Sequence, residues 1–77
     1  MLKIKDNKTL QELIKSYDLK LNKDIITNKD RYYCIYALEI DTWNDNCIRP
    51  YNAHFSTYDL DIIHLWTKEG VIEYVED

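Results

Sequence analysis

Turn-forming and cross-linking residues are scarce in this chain, which has one glycine, one proline and two cysteines among 77 residues. Cys34 and Cys47 are too few for a disulfide scaffold. A hairpin turning near Asn44-Asp45 would set Cys34 against about Phe55 and Cys47 against about Thr42. Both are therefore expected as free thiols, Cys34 as a core residue. No window approaches the ~20 apolar residues of a membrane span, and Met1-Leu2-Lys3-Ile4-Lys5-Asp6 lacks the apolar stretch of a signal peptide. The expectation is a protein of the cytoplasm of the cell that makes it. With 45% hydrophobic and 31% charged residues, a disordered tail or linker is excluded. A chain of this length makes a single domain over residues 1–77 and buries only about 60 to 65% of the surface its unfolded form exposes.

Positive charge is missing from the second half. Residues 37–77 hold only Arg49 and Lys68 against nine acids, among them Glu39, Asp41, Asp45, Asp59, Asp61, Glu69 and Glu73, with Glu76 and Asp77 at the end. The first 36 residues carry eight bases and five acids, so the net charge of −4 hides two halves of opposite sign. A negative field of this kind repels nucleic acid and attracts basic surfaces.

What is present reads as strands and two helices. Arg31 to Asp41 is the longest strand-favouring run and is expected as one central strand. Its alternation puts Tyr32, Cys34, Tyr36, Leu38 and Ile40 on the face toward the helices and Tyr33, Ile35, Ala37, Glu39 and Asp41 on the other. Met1 to Lys5 alternates apolar and basic and reads as a short strand that would suit an edge. Thr9 and Glu12 have capping-box spacing for a first helix that buries Leu10, Leu13, Ile14 and Tyr17. Leu19 to Thr27 suggests a strand joined through Asn28-Lys29-Asp30 to the central one. Cys47 to Ser56 alternates as a further strand, which Pro50 would confine to an edge or a bulge. Ser56 or Thr57 caps a second helix ending near Lys68, with Gly70 as a left-handed stop and Val71 to Val75 as a closing strand. In that helix Tyr58, Leu60, Ile62, Ile63, Leu65 and Trp66 sweep more than half the circumference, wider than a simple cover needs. The predicted fold is α+β, an antiparallel sheet of four or five strands with two helices packed on one face.

No arrangement points to catalysis. Cys34, Cys47, His54 and His64 lack the short pairs that present two ligands to zinc, so no metal and no cofactor are expected. His54 and Ser56 share a strand face, but no oxyanion loop or activated nucleophile accompanies them, and Ser56 serves better as a cap. The expectation is a protein that is not an enzyme. Tyr32, Tyr33 and Tyr36 resemble base-stacking strand residues, yet Tyr32 and Tyr36 fall on the face expected to be buried. The remaining feature is acidity interleaved with aromatics. A solvated surface with two helix-capping acids explains part of it. The sharper reading is a partner-binding surface of Asp41, Trp43, Asp45, Asp59, Asp61, Glu69 and Glu73, with Trp43 and also Trp66 as candidate anchors among steering carboxylates. Reversing Asp41, Asp45, Asp59 and Asp61 should then weaken binding without unfolding the protein.

Lys3-Ile4-Lys5-Asp6 with Leu10, Glu12-Leu13 and Tyr17-Asp18-Leu19-Lys20 resembles the K-I-K-D…L-x-E-L…Y-G-F-K opening of small phage and prophage proteins of low-GC Gram-positive bacteria. Asp59 to Trp66 and Gly70 to Glu76 are similar to their closing helix, glycine and I-E-x-V-E strand. The likeness covers about half the chain, through structural motifs, and Asp18-Leu19 stands where the pattern has Gly-Phe. It implies no catalytic residues. It does imply a phage setting, in which small acidic proteins block host factors, including CRISPR–Cas effectors. The expected partner is a host or defence protein with a basic surface, with no direct nucleic acid and no membrane, the chain itself being a monomer or homodimer. The alternative is a small nucleic-acid-binding or regulatory module that uses the N-terminal lysines and strand tyrosines; a self-associating structural protein is a third reading.

Overall fold

The computed structural model describes residues 1–76. In chain order the elements are β1 (Leu2–Ile4), α1 (Asn7–Tyr17), β2 (Lys20–Lys23), β3 (Asp30–Ile35), β4 (Leu38–Asp41), β5 (Cys47–Pro50), α2 (Thr57–Lys68) and β6 (Ile72–Tyr74). The strands form one six-stranded sheet in the order β2-β3-β4-β5-β1-β6, each neighbour antiparallel. This is the α+β fold expected, with six strands where four or five were anticipated.

The central run is not one strand. It folds back on itself at Tyr36-Ala37, pairing Ile35 with Leu38 and Tyr32 with Asp41. Tyr36 takes the left-handed φ of 53° that this tight turn needs, a conformation unusual for an aromatic residue. Because a two-residue turn leaves Ile35 and Leu38 opposite each other, they share a face, which three residues of straight strand would forbid. The inward face is therefore Tyr33, Ile35, Leu38 and Ile40, and Tyr32, Cys34, Glu39 and Asp41 look the other way. Cys34 is thus half-buried outside the core with Glu39, not Phe55, as its partner across β4, while Cys47 pairs with Asp41; both thiols are free.

β1 is not at an edge either. It lies between β5 and β6, and Ile4 is fully buried. The edges are β2 and β6. Pro50 is tolerated in an interior strand because β1 meets β5 only at Lys3 opposite Cys47, so Pro50 lies beyond the end of β1. On the other side the ladder continues past it, with the Tyr51 N–H donating to the Ala37 carbonyl at 2.6 Å. After Pro50 the chain leaves the sheet in a series of bends instead of running on to Ser56.

Both helices begin and end on identifiable chemistry. α1 starts two residues earlier than Thr9: the Asp6 carboxylate caps it, accepting from the Thr9 N–H at 2.7 Å. Asp18 closes it with a left-handed φ of 51°, a geometry in which Asp and Asn are the usual substitutes for glycine. α2 opens with a full capping box, Ser56 Oγ accepting from the Asp59 N–H at 3.1 Å while the Asp59 carboxylate accepts from the Ser56 N–H at 2.9 Å. Gly70 follows α2 at a φ of 73°.

One core joins these elements: Ile4, Leu10, Leu13, Leu19, Leu38, Ile40, Ile48 and Trp66. Leu10 and Leu13 come from α1 with Ile14 and Tyr17 packed against them, as the helical spacing predicts. Trp66 is the centrepiece of α2, fully buried and edge-on to the Tyr17 ring at 5.4 Å. It is therefore a core residue and not an anchor for a partner. The broad apolar sweep of α2 is only partly used, for Tyr58, Leu60 and Leu65 remain exposed.

Candidate interaction surface

The helices share one core on one side of the sheet, and the cross-strand pairs identify what faces the other side. One row runs Lys20, Cys34, Glu39, Arg49, and the next runs Asn22, Tyr32, Asp41, Cys47, Lys3, Glu73. This open face is polar and aromatic where the helix face is aliphatic.

Its organising group is Asp41, which has no exposed surface. Arg31 donates to both carboxylate oxygens, Nε to Oδ1 at 2.8 Å and Nη2 to Oδ2 at 2.9 Å; Arg49 Nη2 also donates to Oδ2, and the Trp43 N–H to Oδ1 at 3.1 Å. Burial alone would push the Asp41 carboxyl up, but the Arg31 hydrogen bonds, the Trp43 N–H and the charges of both arginines outweigh it and hold it below the usual range. Arg31 arrives there through a bulge. Lys23 pairs with Asp30 and Asn22 with Tyr32, so Arg31 is the extra residue, turned to the same side as Tyr32. Its guanidinium carbon lies 5.0 Å from the Tyr32 ring centre and 4.9 Å from that of Trp43. That contact supplies the reason for an indole in a polar turn.

Arg31 also reaches Asp24, Nη1 to Oδ2 at 2.7 Å. The other Asp24 oxygen accepts from the N–H groups of Ile26 and Thr27, both at 2.9 Å, and chiefly the Thr27 bond holds this carboxyl below its ordinary value. The loop so pinned leaves Ile25 and Ile26 94% and 93% exposed.

The seven residues expected to bind a partner do not form one surface. Asp41 and Asp59 are both fully buried, one in the arginine cluster and the other in the capping box, so neither carboxylate is offered to a partner. Reversing either charge would attack the fold itself. Asp45 and Glu73 are brought together on the open face by Lys3, whose ammonium lies 2.9 and 3.7 Å from them. The Asp45 hydrogen bond in particular raises the Lys3 pKa. Trp43 is 48% exposed beside the arginine cluster. Asp61 is exposed on α2, and Glu69 accepts from the Tyr17 hydroxyl at 3.4 Å, so both belong to the helix layer. Asp77 lies outside the described residues.

Sequence reasoning missed Arg31, Arg49, Asp24 and Tyr51 as residues of this face, although it set Glu39 and Asp41 on the side away from the helices. The faces of β3 and β4 follow only from the turn at Tyr36, which carries none of the usual turn residues. Tyr36 and Tyr51 are 69% and 68% exposed, and Tyr32 also looks outward, correcting the expectation that Tyr32 and Tyr36 are in the core. Chemically the surface offers cations, carboxylates and ring faces. Burial pushes the Cys34 thiol up, which leaves it protonated and a weak nucleophile at neutral pH. Among the described residues no three His, Cys, Asp or Glu side chains are placed to hold a metal ion, and no helix is long and apolar enough to cross a membrane. In comparisons with known proteins, no family model, curated protein or solved structure matches the chain.

Proposed function

We propose that this is a non-enzymatic binding protein that docks on a host or defence protein with its open sheet face, Trp43, Asp45 and Glu73 meeting a basic surface. The likeness of its two ends to phage and prophage proteins extends the proposal to an inhibitor, with a CRISPR–Cas effector as the target class. One observation carries the docking part: the sheet face that neither helix covers holds half-exposed Trp43 beside the exposed carboxylates of Asp45 and Glu73. Aromatic anchors ringed by steering charges are the usual composition of a protein interface.

A second reading has its own support. Tyr32, Tyr36 and Tyr51 lie on or beside this face and not in the core, which suits stacking of unpaired bases, with Lys20, Arg31 and Arg49 as phosphate contacts. Two measurements separate the readings. Retention of purified CRISPR–Cas effectors on immobilised protein should fall about tenfold in the double variant Asp45→Lys/Glu73→Lys and on raising salt. A low-salt gel shift with single-stranded DNA or RNA should show nothing. Retention that survives the charge reversal but is lost in Trp43→Ala makes the interface apolar, and a shift that disappears in Tyr51→Ala supports nucleic-acid binding instead.

A further inference from the structure

Two cavities of about 280 and 260 Å³ adjoin on the open face and share Asn22, Glu39 and Tyr51. One extends to Cys34 and Tyr36 at the β3–β4 turn, and the other to Tyr32, Lys23 and Ile25. Together they make a groove across β2, β3 and β4 with tyrosines along it and Glu39 common to both halves. Tyr36 is held by the Tyr58 ring of α2, stacked with centres 5.6 Å apart and planes 29° from parallel.

Glu39 is half-buried, and its side chain makes no hydrogen bond or ion pair among the described residues. Arg49 stands directly across the ladder from it but is turned to Asp41. Burial raises the Glu39 carboxyl above its ordinary value, the Asp41 charge adds to that, and the charges of Arg49 and Arg31 only reduce it. A partly dehydrated carboxylate without a partner is an unfavourable arrangement that a bound cation would relieve. Of the tyrosines along the groove, Tyr32 already takes the Arg31 guanidinium and Tyr36 stacks on Tyr58, whereas the exposed Tyr51 ring has no such contact among the described residues and its negative face favours a cation.

We propose that this groove receives one cationic side chain, an arginine or a lysine, from an extended basic segment of the protein partner, the head group meeting Glu39 between Tyr32 and Tyr51. The inference deepens the docking reading and rests on it. It also sets the two readings of the face apart, because a phosphate entering the groove would meet Glu39 and be repelled.

The test is an NMR titration of the full chain with capped arginine and capped lysine, with capped glutamine as the neutral control. The expected result is a saturable shift of the Tyr51 and Tyr32 ring signals and the Asn22 amide, weakened about tenfold in Glu39→Gln and absent with glutamine. Glu39→Gln keeps the size of the side chain, and an unchanged amide spectrum verifies its fold. Equal shifts with glutamine, an arginine response undiminished in Glu39→Gln, or shifts gathered around Asp45 and Glu73 would overturn the proposal. If the groove fails in this way while effector retention still depends on Asp45 and Glu73, the docking reading stands alone. A groove that responds as expected in a protein retaining no effector keeps its cation chemistry and removes the docking reading.

Discussion

The two faces of the sheet are stabilised by different physics. Under the helices, aliphatic side chains and Trp66 exclude water, an attraction without direction that tolerates substitution by shape. On the open side a single buried carboxylate, Asp41, is fixed by arginines from β3 and β5 whose hydrogen bonds have set directions. The first kind of face is forgiving of chemistry and strict about volume; the second is strict about chemistry. A chain this small holds both, and the directional face is the one left available to another molecule.

The largest effect is expected from Trp66→Ala, about 3 to 5 kcal/mol of lost stability in urea titration. Trp66→Phe should cost far less, since the indole N–H of Trp66 has no hydrogen-bond partner among the described residues. Next comes Asp41→Ala, about 3 kcal/mol, because removing the shared carboxylate leaves two guanidinium groups facing one another. A loss under about 1 kcal/mol would erase the distinction between the faces, placing this cluster among ordinary surface ion pairs. The pH dependence sharpens the same point. The Asp41 carboxyl is depressed in the folded state, so its contribution is complete above the unfolded value of about 4 and is lost as pH falls through the lower folded value. Acid unfolding of the native chain should therefore show a limb below about pH 4 that is shallower in Asp41→Asn.

Glu39 has the opposite sign. Its raised carboxyl opposes folding at neutral pH, an effect relieved as pH falls through the folded value, so Glu39→Gln should stabilise slightly at pH 7 and lose that advantage in acid. A destabilised Glu39→Gln at neutral pH would mean that the carboxylate has a partner within the fold. Tyr51→Ser, at an exposed ring, should change stability by no more than about 0.5 kcal/mol, and so isolates binding from folding.

Much of the helix face was legible in the chain. Leu10, Leu13, Ile14 and Tyr17 at helical spacing, the Ser56 cap and Gly70 each express a local rule, and local rules survive folding. The open face was legible only in its β4 part, where Glu39 and Asp41 alternate with Leu38 and Ile40, because its other members depend on two irregularities that no local preference announces. A left-handed tyrosine at position 36 reverses the chain and swaps the faces on either side of it, and an extra residue at position 31 sends an arginine outward. The acids were misjudged for a related reason: charge counted along a sequence does not say which carboxylates are already engaged. Asp59 was legible as a helix-start acid, whereas the burial of Asp41 required two distant arginines.

The place of β1 imposes an order of events on assembly. It precedes all the other elements in the chain, yet its neighbours β5 and β6 are supplied by Cys47–Pro50 and Ile72–Tyr74. A nascent chain can close the β2–β3 and β3–β4 hairpins while this strand waits unpaired, and such distant pairings are the slow ones to form. Emergence of Cys47–Pro50 from the ribosome is thus the moment at which this strand can first pair, and an interruption of synthesis before that point would leave an apolar strand free to find another chain.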